Sequence, residues 1–122
     1  GRSVMSDKEL LELAAKAAGL TNLIYCPAWK CMAEFDIDKQ GGYFKWDTYW
    51  NPLARDSDAL YLVVLLGLNI THGITPAGAK VVMVSCKEKF SGWFEEETTQ
   101  DPLAAICRAI VRAAAEIGKA MP

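Results

Sequence analysis

The chain has 122 residues, enough for one domain with a substantial hydrophobic core and too few for two independent cores. Hydrophobic residues make up 52% of the sequence and charged residues 23%, a balance that excludes a disordered chain. The net charge of −2 lacks the excess of Lys and Arg that binding to nucleic-acid phosphates requires, so nucleic acid is a poor candidate partner.

The apolar segments argue against a membrane protein and a secreted protein. The longest apolar run covers only residues 59–68, whereas a membrane-spanning helix needs about 20 residues, so we expect no membrane partner. The first residues lack the basic segment and apolar segment of a secretion signal. Residues 1–4 precede Met5 and are typical of an expression-tag remnant. We therefore expect a single domain over residues 5–122 and a cytoplasmic location.

A capping box marks the start of the first helix. Ser6 and Glu9 have the spacing at which the Ser hydroxyl accepts from the Glu amide while the Glu carboxylate accepts from the Ser amide. Apolar residues then recur at helical spacing, at positions 10, 13, 14 and 17. Gly19 stands where a left-handed C-terminal cap belongs. The pattern predicts a helix over residues 6–18.

Residues 20–42 have an irregular pattern. Pro27 interrupts this segment and a glycine pair closes it, while residues 31–37 fit either a short strand or a turn of helix. Aromatic and polar residues then alternate, a composition that is typical of a strand. We predict this strand over residues 43–48.

The stretch Asp56-Ser57-Asp58 directly precedes the longest apolar run. Short polar acceptors in this place are typical of a helix N-cap, because they satisfy backbone amides that have no partner within the helix. The periodicity of the run by itself also fits a buried strand. Its length and the preceding acceptors favour a helix over residues 57–66.

The segment between the second and third helices is rich in β-forming residues. It predicts a short strand at 68–71, a turn at 73–78, a valine-rich buried strand at 79–86 and a strand at 93–98. A polar loop joins the last two strands, which indicates an antiparallel hairpin.

Asp101 and Pro102 mark the start of the last helix, since Asp is a good N-cap and a proline at the first position loses no hydrogen bond. The expected apolar face consists of Leu103, Ile106, Cys107, Ile110, Ala114, Ile117 and Met121. The opposite face carries Arg108, Arg112, Glu116 and Lys119. The element order α-β-α-β-β-β-α predicts an α+β fold with a small, mainly antiparallel sheet packed on helices.

Two stretches, "WNPLARDSDALYLVVLLGL" and "DPLAAICRAIVRAAAEIGKAM", occur in this order and are joined by the β-rich segment. They resemble the phage ABA sandwich domain family of small phage and prophage proteins, and "SDKELLELAAKAAG" is similar to that family's opening helix. Together the three stretches cover under half of the chain. The resemblance implies a three-layer α/β/α sandwich, with the sheet between helices, and a phage or prophage origin. It implies no known activity and no catalytic residues.

The predicted second helix departs from the pattern of that family. The family's helix has polar or basic positions within its apolar frame, whereas Tyr61, Val64 and Leu65 make this helix apolar nearly all round. Either the irregular segment covers the helix within the same chain, through Trp29, Met32 and Phe35, or one side of the helix contacts a partner. We expect an interface at Tyr61, Val64 and Leu65, with a second copy or a phage-encoded protein as the partner.

The stretch around the second helix also raises the question of catalysis. Asp56 and Asp58 fit the first turn of a helix, where carboxylates favour the positive end of the helix dipole, better than they fit a catalytic pair. Trp46, Tyr49 and Trp50 fit packing in the core or at a strand edge better than base stacking, because no basic groove accompanies them.

A second acidic pair, Asp36 and Asp38, resembles the carboxylates that hold divalent cations in metal-dependent enzymes. These residues alternate with Phe35 and Ile37, however, as in an edge strand with one solvent-exposed face. A small-ligand or metal-dependent enzyme that uses Asp36/Asp38 or Asp56/Asp58 is therefore the alternative function, and we expect no catalytic residues.

Cysteines and the single histidine are the remaining candidates for a site. Cys26 and Cys31 supply two possible zinc ligands, completed by His72 or Cys86, but their spacing is looser than that of paired C-x2-C motifs. We expect four free thiols and no metal or cofactor. His72 fits a turn residue better than a general base, because no nucleophile motif accompanies it.

These observations together predict a small phage or prophage accessory protein in the host cytoplasm. We expect it to be non-enzymatic and to act through protein–protein contacts.

Overall fold

The computed structural model describes residues 4–122, so the predicted tag remnant at residues 1–4 lies almost entirely outside the described residues. The α+β class is confirmed, with three α-helices and short antiparallel strands in the described part of the chain. In chain order the elements are α1 (Asp7–Ala17), β1 (Ile24–Cys26), β2 (Cys31–Ala33), β3 (Phe35–Asp36), β4 (Tyr43–Phe44), α2 (Asp56–Leu66), β5 (Asn69–Ile74), β6 (Lys80–Ser85), β7 (Phe94–Glu97) and α3 (Pro102–Ala120).

Both predicted ends of α1 are confirmed. The Ser6 hydroxyl accepts from the Glu9 amide at 3.2 Å, and the Glu9 carboxylate accepts from the Ser6 amide at 3.5 Å. At the other end Gly19 has a φ of +75°, which a residue with a Cβ rarely adopts. The amides of Gly19 and Leu20 donate to carbonyl groups of the last helical turn, so the chain leaves the helix in a Schellman motif.

Residues 20–44 form two small hairpins, which the irregular pattern did not predict. Strand β1 pairs with β2, and β3 pairs with β4, both antiparallel. Met32 also exchanges two backbone hydrogen bonds with Trp50, at 3.0 and 2.8 Å. Strands of two or three residues are too short to show an alternating pattern, and their partners are what stabilise them.

The strand predicted over residues 43–48 is wrong in its length, since only Tyr43–Phe44 pairs with another strand. The chain then turns through a short 3-10 helix at Trp46–Thr48. The Thr48 hydroxyl donates to the Lys45 carbonyl group at 2.6 Å and accepts from the Glu34 amide at 2.8 Å. These two side-chain hydrogen bonds occupy backbone groups that a β ladder would otherwise use, so the strand ends here.

Helix α2 begins at Asp56, one residue before the predicted start, and the predicted side-chain cap is wrong. Arg55 occupies the N-cap position and makes no capping hydrogen bond with its side chain. The Asp58 carboxylate accepts from the Asn51 amide at 2.9 Å and lies 3.7 Å from the Arg55 guanidinium. Asp58 therefore holds the preceding turn against the first turn of the helix, while the Asp56 carboxylate accepts from the adjacent Ser57 amide.

Strands β5, β6 and β7 form an antiparallel sheet in that order, and the predicted hairpin of the last two strands is confirmed. Strand β5 extends beyond the predicted residues 68–71, because its hairpin with β6 continues to the turn at Gly78. Val82 and Val84 are fully buried on the face that packs against α3. We call this the inner face of the sheet.

A sheet enclosed between two helical layers is not confirmed. Helix α3 packs on the inner face of β6 and β7, and it also contacts α1 and α2. The outer face presents exposed residues of β5 and β7, such as Thr71, Glu95 and Glu97. Among the described residues, the strands also form three separate small sheets rather than one.

Small residues place α3 at the centre of the helical layer. Ten residues of α3 are buried, and many of them are alanines. A Cβ atom at Gly118 would overlap the carbonyl oxygen of Leu13, so the backbones of α1 and α3 lie in direct contact there. The buried core continues from these helices to Leu62 of α2 and to Val82 and Val84 of the sheet.

Candidate protein-interaction surface

Helix α2 turns only part of its apolar surface toward the core. Ala59 and Leu62 are buried against the rest of the molecule. Four large apolar residues lie on the opposite side and are exposed by 59%, 47%, 75% and 47%, respectively: Leu60, Tyr61, Val64 and Leu65. These four residues, here called the α2 face, include the three that the sequence predicts as an interface. Soluble monomers rarely expose a continuous apolar surface of this kind without a function for it.

An apolar groove of about 410 Å³ lies beside the α2 face. Helices α2 and α3 form its walls, and β5 contributes one residue. Its apolar lining consists of Ala59, Leu60, Ile70, Leu103, Ile106, Cys107 and Ile110. Leu60 belongs to both the groove and the α2 face, so the two apolar surfaces are continuous. We call this the interhelix groove.

Strand β5 is one of the two edge strands of its sheet, and its residue Ile70 lines the interhelix groove. Its sequence from Asn69 to Ile74 contains no charged residue and no proline, which are the usual protections of an exposed strand edge. Ile74 is 71% exposed. The edge of β5 is therefore able to pair with a further strand.

The irregular segment does not cover the α2 face. Cover of the helix by this segment of the same chain was the alternative to a partner, and it is not what the structure shows. Met32 is buried in the core beside Trp50. Trp29 packs against Phe44 and Trp46, with ring centroids 6.1 and 5.0 Å apart. The α2 face remains exposed among the described residues.

The aromatic residues before α2 serve the local structure. Trp50 is buried, and the Arg55 guanidinium lies over the Tyr49 ring, 5.3 Å from its centroid. Trp46 packs on Trp29 and, at 5.6 Å, on Tyr49. This cluster stabilises the turn that leads into α2, as the packing interpretation of these aromatic residues predicts.

The acidic pairs do not converge on a cavity. The Asp38 carboxylate accepts from the Gln40 amide at 2.8 Å, and the Asp36 carboxylate accepts from the Ile37 amide at 3.0 Å. Asp56 lies at one end of the interhelix groove, whereas Asp58 is turned toward Asn51. Within residues 4–122, no three His, Cys, Asp or Glu side chains are grouped as potential metal ligands.

All four cysteines are buried free thiols. Cys26 and Cys31 lie directly opposite each other in the β1–β2 hairpin. Burial, followed by the neighbouring Cys26, raises the pKa of the Cys31 thiol to about 11, and burial likewise raises the pKa of Cys107. Protonated thiols are poor metal ligands and poor nucleophiles.

The structure does not bring His72 or Cys86 to the Cys26–Cys31 pair. His72 lies within β5 rather than in the turn that we predicted for it. The Cys86 thiol donates to the Leu66 carbonyl group, at 3.6 Å, beside the end of α2.

Sequence reasoning did not assign Leu60, Ile70 or Leu103 to a surface. Leu103 was predicted on the core face of the last helix, but it is more than half exposed beside the groove. The only available signal was the lack of charge in residues 69–74. That signal becomes meaningful once β5 is known to be an edge strand.

Comparisons with protein-family models, with curated proteins and with solved structures found no match to this chain. No helix in residues 4–122 combines the length and the apolar character needed to span a bilayer.

Proposed function

We propose that this protein is a small phage or prophage accessory protein that acts in the host cytoplasm by binding another protein, and that it is not an enzyme. The α2 face is the contact surface. The resemblance of three stretches of the sequence to the phage ABA sandwich family supports the phage or prophage origin. That resemblance also implies a second layer over the sheet, and the outer face of β5–β7 is where such a layer would pack.

The observation that carries the proposal is the exposure of the α2 face. Complete burial of one large apolar side chain contributes roughly 1.5–3 kcal/mol, and each of these four residues retains about half of its surface or more in water. A partner that covers them gains much of this free energy. The local hydrogen bonds of Asp36 and Asp38, and the turning of Asp58 away from the groove, favour binding over an acid-catalysed reaction.

Site-specific crosslinking tests this function. A photoreactive amino acid replaces Val64, the most exposed residue of the α2 face, and the protein is irradiated in its host cell. The control places the same amino acid at Lys8, an exposed position on α1. We expect a discrete protein adduct from position 64 and none from position 8. Equal labelling at both positions, or no adduct at position 64, would show that the α2 face is not a contact surface.

A further inference from the structure

We propose that the interhelix groove and the α2 face together bind one amphipathic helix of a partner protein. This helix carries apolar residues at positions i, i+3 or i+4, and i+7, with one Lys or Arg beside them. The inference rests on the proposed function and deepens it, because it names the chemistry of the segment that contacts the α2 face. A helix laid into an apolar groove is a recurrent mode of peptide recognition.

The groove has an apolar floor and apolar walls. Cys107 and Ile110 of α3 line it but are buried, so they form its floor. Leu60 of α2 and Leu103 of α3 are more than half exposed and form its walls. Val64, one turn after Leu60, extends the exposed surface along α2. A single elongated segment therefore covers both the groove and the α2 face.

The lining of the groove requires an occupant whose backbone groups already have partners. Asp56 and Ser57 are the only lining residues with strongly polar side chains, and all the others are apolar. An extended segment in this groove would lose water from its N–H and C=O groups and gain few hydrogen bonds in return. In a helix these groups bond to one another, so the segment enters the groove without that cost.

The length of the groove matches two turns of helix. Leu103, Ile106 and Ile110 line it at positions i, i+3 and i+7 of α3, a span of about 10 Å at 1.5 Å per residue. A partner helix aligned with α3 presents its own residues i, i+3 or i+4, and i+7 over the same distance. The row formed by Leu60 and Val64, spaced i and i+4 on α2, then packs against the other side of the partner helix.

Two carboxylates give this site its charge. Asp56 lines the groove, and Asp101 is the N-cap of α3, two residues before Leu103. Burial raises the pKa of the Cys107 thiol, and the carboxylates of Asp56 and Asp101 raise it further, so both lie near this residue of the groove. Within residues 4–122, neither carboxylate forms an ion pair with a basic side chain. We call these two residues the acidic rim.

The size of this charge indicates one basic group on the partner. The N-termini of α2 and α3 each contribute about +0.5 elementary charge, which offsets about half of the two carboxylate charges. A charge of about −1 remains, and the described lining of the groove contains no Lys, Arg or His. One Lys or Arg on the partner neutralises this charge, whereas an uncharged or acidic helix does not. The acidic rim therefore selects basic helices among amphipathic ones.

Selection from a random peptide library tests the chemistry of the partner. Peptides of about 16 residues, which is about four helical turns, are selected for binding to the full chain. Fluorescence anisotropy then measures the affinity of each selected peptide, and circular dichroism measures its helicity. We expect apolar residues at i, i+3 or i+4, and i+7, one Lys or Arg, and helix formation on binding. Alternating apolar residues, which indicate pairing with the edge of β5, would overturn the inference, as would a library that yields no binder.

Matched variants of α3 locate the bound peptide. Leu103→Ser removes an apolar wall of the groove and should weaken binding of a selected peptide by about four- to tenfold. The control is Ala104→Ser, at an exposed position of the same helical turn that does not line the groove, and it should bind like wild type. Both variants should keep the circular dichroism spectrum of wild type. Equal affinities of wild type and Leu103→Ser would place the peptide elsewhere and contradict the inference.

Variants of the acidic rim test the basic residue. Asp56→Asn keeps an acceptor for the Ser57 amide, and Asp101→Asn keeps a good N-cap for α3. The double variant should bind a selected peptide about two- to fivefold more weakly than wild type, as expected for an exposed ion pair. Replacing the Lys of the peptide with Gln should weaken binding to wild type equally and to the double variant not at all. Additive losses would show that the rim does not contact the basic residue.

The crosslinking experiment separates this inference from the proposed function. If position 64 crosslinks to a protein but the selected peptides lack the helical pattern or the basic residue, the basic helix is wrong as the occupant and the proposed function stands. If position 64 gives no adduct, the proposed function fails, and this inference fails with it.

Discussion

Two helices of equal length, α1 and α2, differ sharply in how they use their apolar residues. Helix α1 has six apolar residues among its 11 and buries four of them, whereas α2 has eight and buries two. Helix α1 packs along α3, with an ion pair at one end of this contact and a hydrogen bond at the other. Asp7 lies 3.1 Å from Arg108, and the Lys16 ammonium donates to the Met121 carbonyl group at 3.0 Å.

Helix α2 has α3 on one side, and no element of residues 4–122 covers the other side. The comparison shows that the apolar content of a helix does not determine how much of it is buried, because burial requires a neighbour of matching shape. The molecule thus has a closed side, at the α1–α3 contact, and an open side, at the α2 face and the edge of β5.

The largest effect is expected within α2 itself. Leu62 is fully buried and Leu65 is exposed, although the two leucines are less than one turn apart. Leu62→Ala should lower the free energy of unfolding by about 2–5 kcal/mol, because it leaves a cavity in the core. Leu65→Ala should lower it by no more than about 0.5 kcal/mol when measured on monomeric protein. Urea unfolding at low protein concentration measures both, and similar losses would contradict the assignment of an open side.

Gly118 tests the closed side. Gly118→Ala forces the α1 and α3 backbones apart at Leu13, so the free energy of unfolding should fall by about 1–3 kcal/mol despite the higher helix propensity of alanine. The control is Lys119→Ala, next to it on the exposed side of α3, which should change little. Thermal unfolding compares the two variants. A stabilised Gly118→Ala protein would mean that α1 and α3 are not in close contact.

Alkaline pH should act through Cys31. Burial raises the pKa of this thiol in the folded protein to about 11, from an ordinary value of 9.0, so the unfolded chain loses the proton first. The unfolded state therefore gains stability relative to the folded state as the pH rises from about 9 to 11, and the protein loses on the order of 1–2 kcal/mol. Cys31→Ser lacks this titration. Its stability should depend less steeply on pH over that range, and parallel profiles would contradict the prediction.

The smallest effect concerns the two carboxylates at the start of α2. Asp58→Ala removes the acceptor of the Asn51 amide and should cost about 1 kcal/mol. Asp56→Ala should cost less, since the Asp56 carboxylate accepts from the amide of the next residue, Ser57, and joins no separate segments. Chemical unfolding of both variants gives the comparison. An equal or larger loss from Asp56→Ala would favour the original expectation that both residues act as caps.

Elements whose stability is local could be predicted from the residues alone. The Ser6–Glu9 capping box and the apolar pattern of α1 predicted both ends of that helix to within one residue, and Asp101 before Pro102 predicted the start of α3. These features act between residues three or four positions apart, so the pattern along the chain contains the interaction itself. The α+β class and the β6–β7 hairpin follow from the same kind of local information.

Features that depend on partners distant in the chain became visible only in the folded molecule. The hairpins of residues 24–44 are stable because Met32 pairs with Trp50 and Thr48 binds Glu34, contacts that join separate parts of the chain. The packing of α2 against α3 decides which side of α2 stays exposed. The same packing leaves Leu103 of α3 exposed beside the groove. The edge of β5 could not be read from its residues, because a strand becomes an edge only through the absence of a neighbour, and neighbours are set by the fold as a whole.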